Sequence, residues 1–261
     1  MPGPLDIQPP RAAARAPRLP LMNNRAFLTL THGVFRLTSR CTFAGAEHFP
    51  ASGPPCLLAV AHVSHYDPVV VSTLSRRVIA WWARSEFYVT AGPRWFVSNA
   101  GSIEIDRHGP ALPGVRNALA ALAAGRTVGL YPEGQLRGAD NSVLTGGRMN
   151  AGVATLARRS GRPVVPCVAL GGAQFRRLAP WLPLRSGRLA IAYGAPLTAT
   201  DTERRPGRAG RAAFSARVGA AMRALYEGLV GDEPGLKLAA GVGEAAPGVA
   251  ATPTRSAEPV A

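Results

Sequence analysis

Two histidines, a serine and an aspartate fall within six residues in the run Ala61-His62-Val63-Ser64-His65-Tyr66-Asp67-Pro68. A histidine that titrates near neutrality can take a proton from a hydroxyl. A carboxylate on its other ring nitrogen fixes the tautomer and stabilises the charged imidazole. His62 with Asp67 therefore reads as a general-base pair. His65, two residues from Asp67, is a second candidate for the base. Ser64 could be a nucleophile, but no G-x-S-x-G elbow surrounds it; its other reading is a capping hydroxyl. A metal site would need a second cluster of ligands, and the chain's five histidines form none.

Three further runs carry residues suited to a site. In Gly101-Ser102-Ile103-Glu104-Ile105-Asp106-Arg107 an arginine emerges from an alternating strand, where a surface ion pair with Asp106 or Glu104 is the plainer reading. In Leu130-Tyr131-Pro132-Glu133-Gly134-Gln135-Leu136-Arg137 a buried strand runs into Pro-Glu-Gly, which forces a turn. In Pro163-Val164-Val165-Pro166-Cys167-Val168-Ala169 a proline inside a strand pattern marks an edge, a bulge or a pocket wall.

These runs need a scaffold. Strands are expected at Cys56–Ala61, Val78–Ala83, Ser102–Asp106, Thr127–Tyr131, Val164–Leu170 and Leu189–Tyr193. All are near-continuous apolar runs, as for strands covered on both faces. Helices are expected at Gly114–Ala124, Asn150–Arg159 and Ala212–Leu229, the second stopped by Gly161 and Pro163. Alternation of this kind argues for an α/β layered fold, and the strand ends of such sheets are where ligands bind. Ahead of the first strand, Asn24–Arg40 reads as an amphipathic helix carrying Phe27, Leu28, Leu30, Val34, Phe35 and Leu37. It packs on the core, or it lies on a membrane with help from Arg25, Arg36 and Arg40.

The 261 residues suffice for one sizeable core. Residues 1–22 read as a disordered basic arm, 23–230 as a single folded domain, and 231–261 as a disordered Ala/Gly/Pro-rich tail. No stretch approaches the ~18 apolar residues of a membrane span. Residues 1–20 lack the apolar core of a secretory signal. Three cysteines with no CxxC spacing point to a reducing compartment and no structural metal. Thirty basic residues against 15 acidic give a formal charge of +15, and all but one of the thirty are arginine. Such an excess suits an anionic partner: nucleic acid, a membrane surface or a phosphorylated substrate. A GC-rich coding bias, which raises Arg, Ala, Gly and Pro together, accounts for part of it.

Taken in order, the four runs resemble the blocks of the glycerolipid acyltransferase family, whose bacterial type member acylates lysophosphatidic acid. The family's Asn-His-x-Ser-x-x-Asp is matched from Ala61 to Asp67, with alanine in place of asparagine. The second block ends in an arginine after Ile-x-Ile-Asp, matched by Arg107. Phe-Pro-Glu-Gly-Thr-Arg-Ser is matched at Pro132, Glu133 and Gly134, with Tyr131 for phenylalanine and Gln135 for threonine. Its arginine falls at Leu136, with Arg137 one step later. Val-Pro-Val-x-Ile is matched around Pro166. Ala83-Arg84-Ser85-Glu86-Phe87 is similar to the connecting Ala-Lys-x-Glu-Leu.

The resemblance implies a single-domain α/β fold of the glycerol-3-phosphate acyltransferase type, a central mixed sheet flanked by helices. It implies direct transfer of an acyl group from a coenzyme A or acyl carrier protein thioester to a hydroxyl of a lysophospholipid, with no cofactor and no metal. His62 would be the base and Asp67 its orienting partner. Arg107 and Arg137 would hold the acceptor phosphate, and Glu133 and Gly134 would shape the acceptor pocket. The cluster Trp81, Trp82, Phe87, Trp95 and Phe96 would line an acyl groove or meet the bilayer, or would be core. The expected partners are a lysophospholipid, the acyl carrier and an anionic membrane surface, placing the protein on the inner face of the cell membrane. Nucleic acid is not expected, because no nucleic-acid-binding motif accompanies the charge.

Overall fold

The computed structural model describes residues 25–64, 66–84, 102–105, 112–172, 187–205 and 207–238. The elements in chain order are α1 (Arg25–Thr38), β1 (Ser39–Ala44), β2 (Leu57–Val60), α2 (Asp67–Ser75), β3 (Ile79–Arg84), β4 (Ile103–Ile105), α3 (Leu112–Ala123), β5 (Thr127–Leu130), α4 (Gly152–Ser160), β6 (Val164–Leu170), β7 (Gly187–Tyr193), α5 (Asp201–Arg204) and α6 (Arg208–Asp232). Expected arm residues 1–22 and tail residues 239–261 lie outside the described residues, as do His65 and Arg107.

The strands form one seven-stranded sheet in the order β1-β7-β6-β2-β5-β3-β4. β7 runs antiparallel to β6, and every other neighbouring pair is parallel. The sheet is therefore mixed and covered on both faces, the α/β layered fold expected. Side chains alternate along each strand. Leu57 and Ala59 of β2 face a layer that includes Leu122 of α3, Leu156 of α4 and Phe214, Val218 and Met222 of α6. Leu58 and Val60 face Val70, Val71 and Leu74 of α2 and Phe35 of α1. Every residue of β2, β5 and β6 is buried, so the central strands read as unbroken apolar runs. Among the described residues no helix is long and apolar enough to cross a membrane.

Two expectations shift, the end of the first helix and the end of the folded chain, and two open readings are resolved. The first helix stops at Thr38, and Ser39–Ala44 is an edge strand paired only with β7. An edge strand has one partner and a half-buried pattern, so it offered no apolar run to detect. The Val-rich run after Asp67, which the sequence left unassigned, is helix α2. Asp67 and Pro68 occupy its first turn, where proline's missing N–H costs nothing, and burial overrides the β-branched preference.

Pro166 lies inside the sheet between β2 and β7, not on an edge. It sits at a bulge: Val164 pairs with Leu197 and Cys167 with Tyr193, leaving two residues on β6 opposite three. There the Pro166 carbonyl accepts from Gly194 N at 2.9 Å. The folded chain also continues past 230. α6 runs to Asp232, a 3₁₀ turn follows at Pro234–Leu236, and Leu238 N donates to Tyr226 Oη at 3.0 Å. Buried Glu233 anchors this end, accepting from Thr42 Oγ1 at 3.1 Å and Arg188 Nη1 at 3.5 Å.

Candidate active site

Parallel strands β2, β5 and β3 end at one edge of the sheet, and the candidate residues follow those ends. His62 lies two residues beyond β2, and Tyr131 to Glu133 lie directly beyond neighbouring β5. Asp67 opens α2 and is buried. Its Oδ2 accepts from His62 Nδ1 at 3.1 Å and from the backbone N–H groups of Val63 and Ser64, each at 2.9 Å. Three donors on one oxygen leave the carboxylate little freedom. The pairing places the imidazole proton on Nδ1 and the lone pair on Nε2. Burial pushes the Asp67 carboxyl up, opposed by His62 and by those two N–H groups. Ser64 is buried, and its Oγ accepts from Tyr66 N at 3.2 Å, within the turn that leads into α2.

Glu133 is buried, and both its oxygens are engaged by the protein. Oε2 accepts from His62 N at 2.7 Å; Oε1 accepts from Ser142 Oγ and Val143 N, each at 2.7 Å. Burial raises its carboxyl, and these three donors counter it. Glu133 thus holds the backbone of His62, and any shaping of an acceptor pocket by it goes through that backbone. Gly134 likewise spends its N–H on Tyr131 O at 2.9 Å. Its φ of +70° and the Asn150 amide 2.6 Å from where a Cβ would stand explain the glycine.

Arg137 is tied to the site by its backbone, N donating to His62 O at 3.0 Å. With the Gln135 amide turned oxygen-first, Oε1 accepts from Arg137 Nη1 and Nη2, each at 2.9 Å. Gln135, in place of the family's threonine, and the arginine displaced by one step are therefore partners.

Of the six expected site residues, the structure brings His62, Asp67, Glu133, Gly134 and Arg137 together, while Arg107 lies outside the described residues. Trp81 is buried core, and Phe87, Trp95 and Phe96 lie outside the described residues. The sequence reading missed Ser142, whose only signal is a polar residue heading a short turn, and the packing partners of His62. The imidazole stacks on Tyr131 with ring centroids 3.9 Å apart, and Tyr131 stacks on Trp81 at 5.3 Å. A cavity of about 480 Å³ between α5 and the start of α6 is lined by Glu203, Arg205 and Arg208 and shares no residue with this site.

In this α/β layered fold the strand edge carries a half-buried imidazole on a buried carboxylate, braced by a Pro-Glu-Gly turn. The acyltransferase family model matches residues 40–170, half of the chain, and the chain belongs to that family. Among solved structures it is similar to the 1-acyl-sn-glycerophosphate (LPA) acyltransferase PlsC from Thermotoga maritima. The identity is 17% and the TM-score 0.55, over 78% of this chain and 80% of that one. No curated protein matches the chain. The resemblance to the glycerolipid acyltransferases and the fold it implied are borne out.

Proposed function

We propose that this acyltransferase moves a fatty acyl group from coenzyme A or acyl carrier protein to the free hydroxyl of a lysophospholipid. The 1-acylglycerol-3-phosphate named for the Thermotoga protein is the first acceptor to test. The observation that carries the reading is the His62 Nδ1–Asp67 Oδ2 contact at 3.1 Å. It leaves the ring's lone pair to Nε2, in a pair that Glu133 braces through the backbone. Nε2 takes the proton of the acceptor hydroxyl as its oxygen attacks the thioester carbonyl. Collapse of the tetrahedral intermediate breaks the C–S bond, and the departing thiolate takes the proton back from the imidazolium. The products are an ester and a free thiol, with no covalent acyl-enzyme. Base catalysis of this kind contributes about 10²–10⁴-fold. Arg137, steadied by Gln135, supplies a cation for the acceptor's phosphate.

The test is thiol release from acyl-coenzyme A on adding lysophosphatidic acid, with His62→Ala alongside. Release by the wild type and not by the variant supports the reading. Silence across lysolipid acceptors and both carriers overturns it.

A second reading keeps the chemistry and changes the acceptor. It rests on Leu136, which stands where the family's third block has its arginine. Release with another lysolipid but not with lysophosphatidic acid favours it.

The same proposal places the protein on the cytoplasmic face of an anionic membrane, and α1 is the surface suited to it. Leu28 and Phe35 are buried, whereas Leu30 and Leu37 are 69% and 89% exposed. The two pairs are each seven apart and offset by two residues, about 200° around the helix. One stripe packs inward and the other faces out, and Arg25, Arg36 and Arg40 are exposed as well.

A further inference from the structure

The base rests on an aromatic platform whose far end returns to the base's own carboxylate. His62 stacks on Tyr131 with an interplanar angle of 20° at 3.9 Å. Tyr131 stacks on Trp81 at 15° and 5.3 Å. Trp81 Nε1 donates to Ser72 Oγ at 2.9 Å, and Ser72 lies on α2, the helix that Asp67 opens. Asp67 closes the circuit on His62 Nδ1. Gly129 on β5 makes room for it. Gly129 pairs with Trp81, and a Cβ there would fall 2.7 Å from Trp81 Cε3. Nothing in the chemistry assigned above requires an aromatic at 131.

The geometry points to Tyr131 as a positioning residue for the transfer. Its ring, backed by Trp81, holds the imidazole in the orientation that keeps Nδ1 on Asp67, and its π face favours the imidazolium formed when Nε2 takes the proton. A cation over an aromatic face is attracted by the ring quadrupole, and more so when desolvated. Tyr131 is the inner slice of the stack, and its hydroxyl is buried without a hydrogen-bond partner. Burial, then the nearby Asp67 and Cys167, push that hydroxyl far up, so it stays a neutral group and takes no proton itself. The ring rather than the hydroxyl carries the effect, so a phenylalanine at this position is expected to serve equally.

This inference rests on the proposed acyl transfer for its kinetic test, and a spectroscopic test stands apart from it. Tyr131→Phe is expected to keep kcat within about twofold, and Tyr131→Leu to lower it about tenfold with the acceptor KM little changed. Equal loss in both variants, or wild-type kcat in a folded Tyr131→Leu, overturns the inference. For the wild type alone, the carbon-bound ring protons of His62, assigned by their loss in His62→Ala, are expected upfield of a free histidine from the Tyr131 ring current. Unshifted signals overturn the platform even where Tyr131→Leu does not fold. Shifted signals in a protein inactive toward every acceptor would sink the acyl-transfer reading and leave the platform standing.

Discussion

Glu133 reaches His62 through the backbone: its Oε2 accepts from His62 N at 2.7 Å while the imidazole itself turns to Asp67. The base is thus gripped at two points by two carboxylates that have different tasks. One fixes where the residue sits, and the other fixes how its ring is oriented and charged.

The first prediction follows from that division. Glu133→Gln must set an NH₂ against either His62 N–H or the Val143 N–H, a donor facing a donor. Leaving such a buried donor unpaired costs about 1–3 kcal/mol. The variant is expected to lose that much in urea denaturation and to lose kcat more than acceptor KM, because the carboxylate touches the base's backbone. A rise in KM with kcat and stability intact would return Glu133 to the acceptor pocket.

Asp67→Asn is expected to fold, since an amide oxygen can still accept from Val63 N and Ser64 N, yet to lose about 10²–10⁴ in kcat with the charge. Burial raises the folded-state value of Asp67 above its unfolded one. A raised carboxyl contributes stability that is full below the unfolded value and is lost as pH rises through the folded one. At neutral pH the wild type therefore bears the cost of an ionised buried Asp67, and the asparagine variant does not. Paired urea midpoints should favour Asp67→Asn near pH 7, with the advantage shrinking toward about pH 4. An advantage that grows on acidification contradicts the burial argument.

The hydroxyl of Tyr131 offers a prediction in stability. It is buried with no partner, so Tyr131→Phe removes an unsatisfied group without opening a cavity. The midpoint of thermal unfolding should stay level or rise. A clear fall would mean that the hydroxyl is bonded in solution.

How much of this was legible beforehand follows from what each element must satisfy. β2, β5 and β6 are buried on both faces, so their apolar runs were sufficient to place them. β1 pairs on one side only, and α2 carries a Val-rich run in a helix fixed by tertiary burial; neither leaves a local signature. His62 and Asp67 stood out because their chemistry depends on spacing within one segment. The work of Glu133 did not, because its partners Ser142 and Val143 come from a later turn that only the fold brings back. The His62–Tyr131–Trp81 stack joins three segments distant in sequence and is invisible in any one of them.

Gln135 and Arg137 test whether the altered third block still recognises a phosphate. One amide oxygen bridging both Nη atoms holds the guanidinium by its outer fork. Gln135→Leu should raise the KM for a phosphate-bearing acceptor severalfold while sparing kcat, and Arg137→Ala should raise it further. If neither changes KM, the phosphate is held elsewhere.

The outward stripe of α1 gives the last prediction. Leu30 and Leu37 are exposed, so Leu30→Ser with Leu37→Ser should leave the unfolding midpoint near that of the wild type. Buried Leu28 and Phe35 on the opposite side keep the helix on the protein in either case. Binding to vesicles with anionic headgroups should nevertheless weaken, because two leucines no longer enter the interface. Each basic residue near such a surface contributes roughly 1 kcal/mol, and that part is screened by salt. Wild-type binding should therefore fall from low to high salt, while the serine variant should start weaker and fall in parallel. Vesicle sedimentation at two salt concentrations checks both terms. Binding that ignores the leucines but follows salt would leave the arginine-rich surface as the attachment and remove α1 from it.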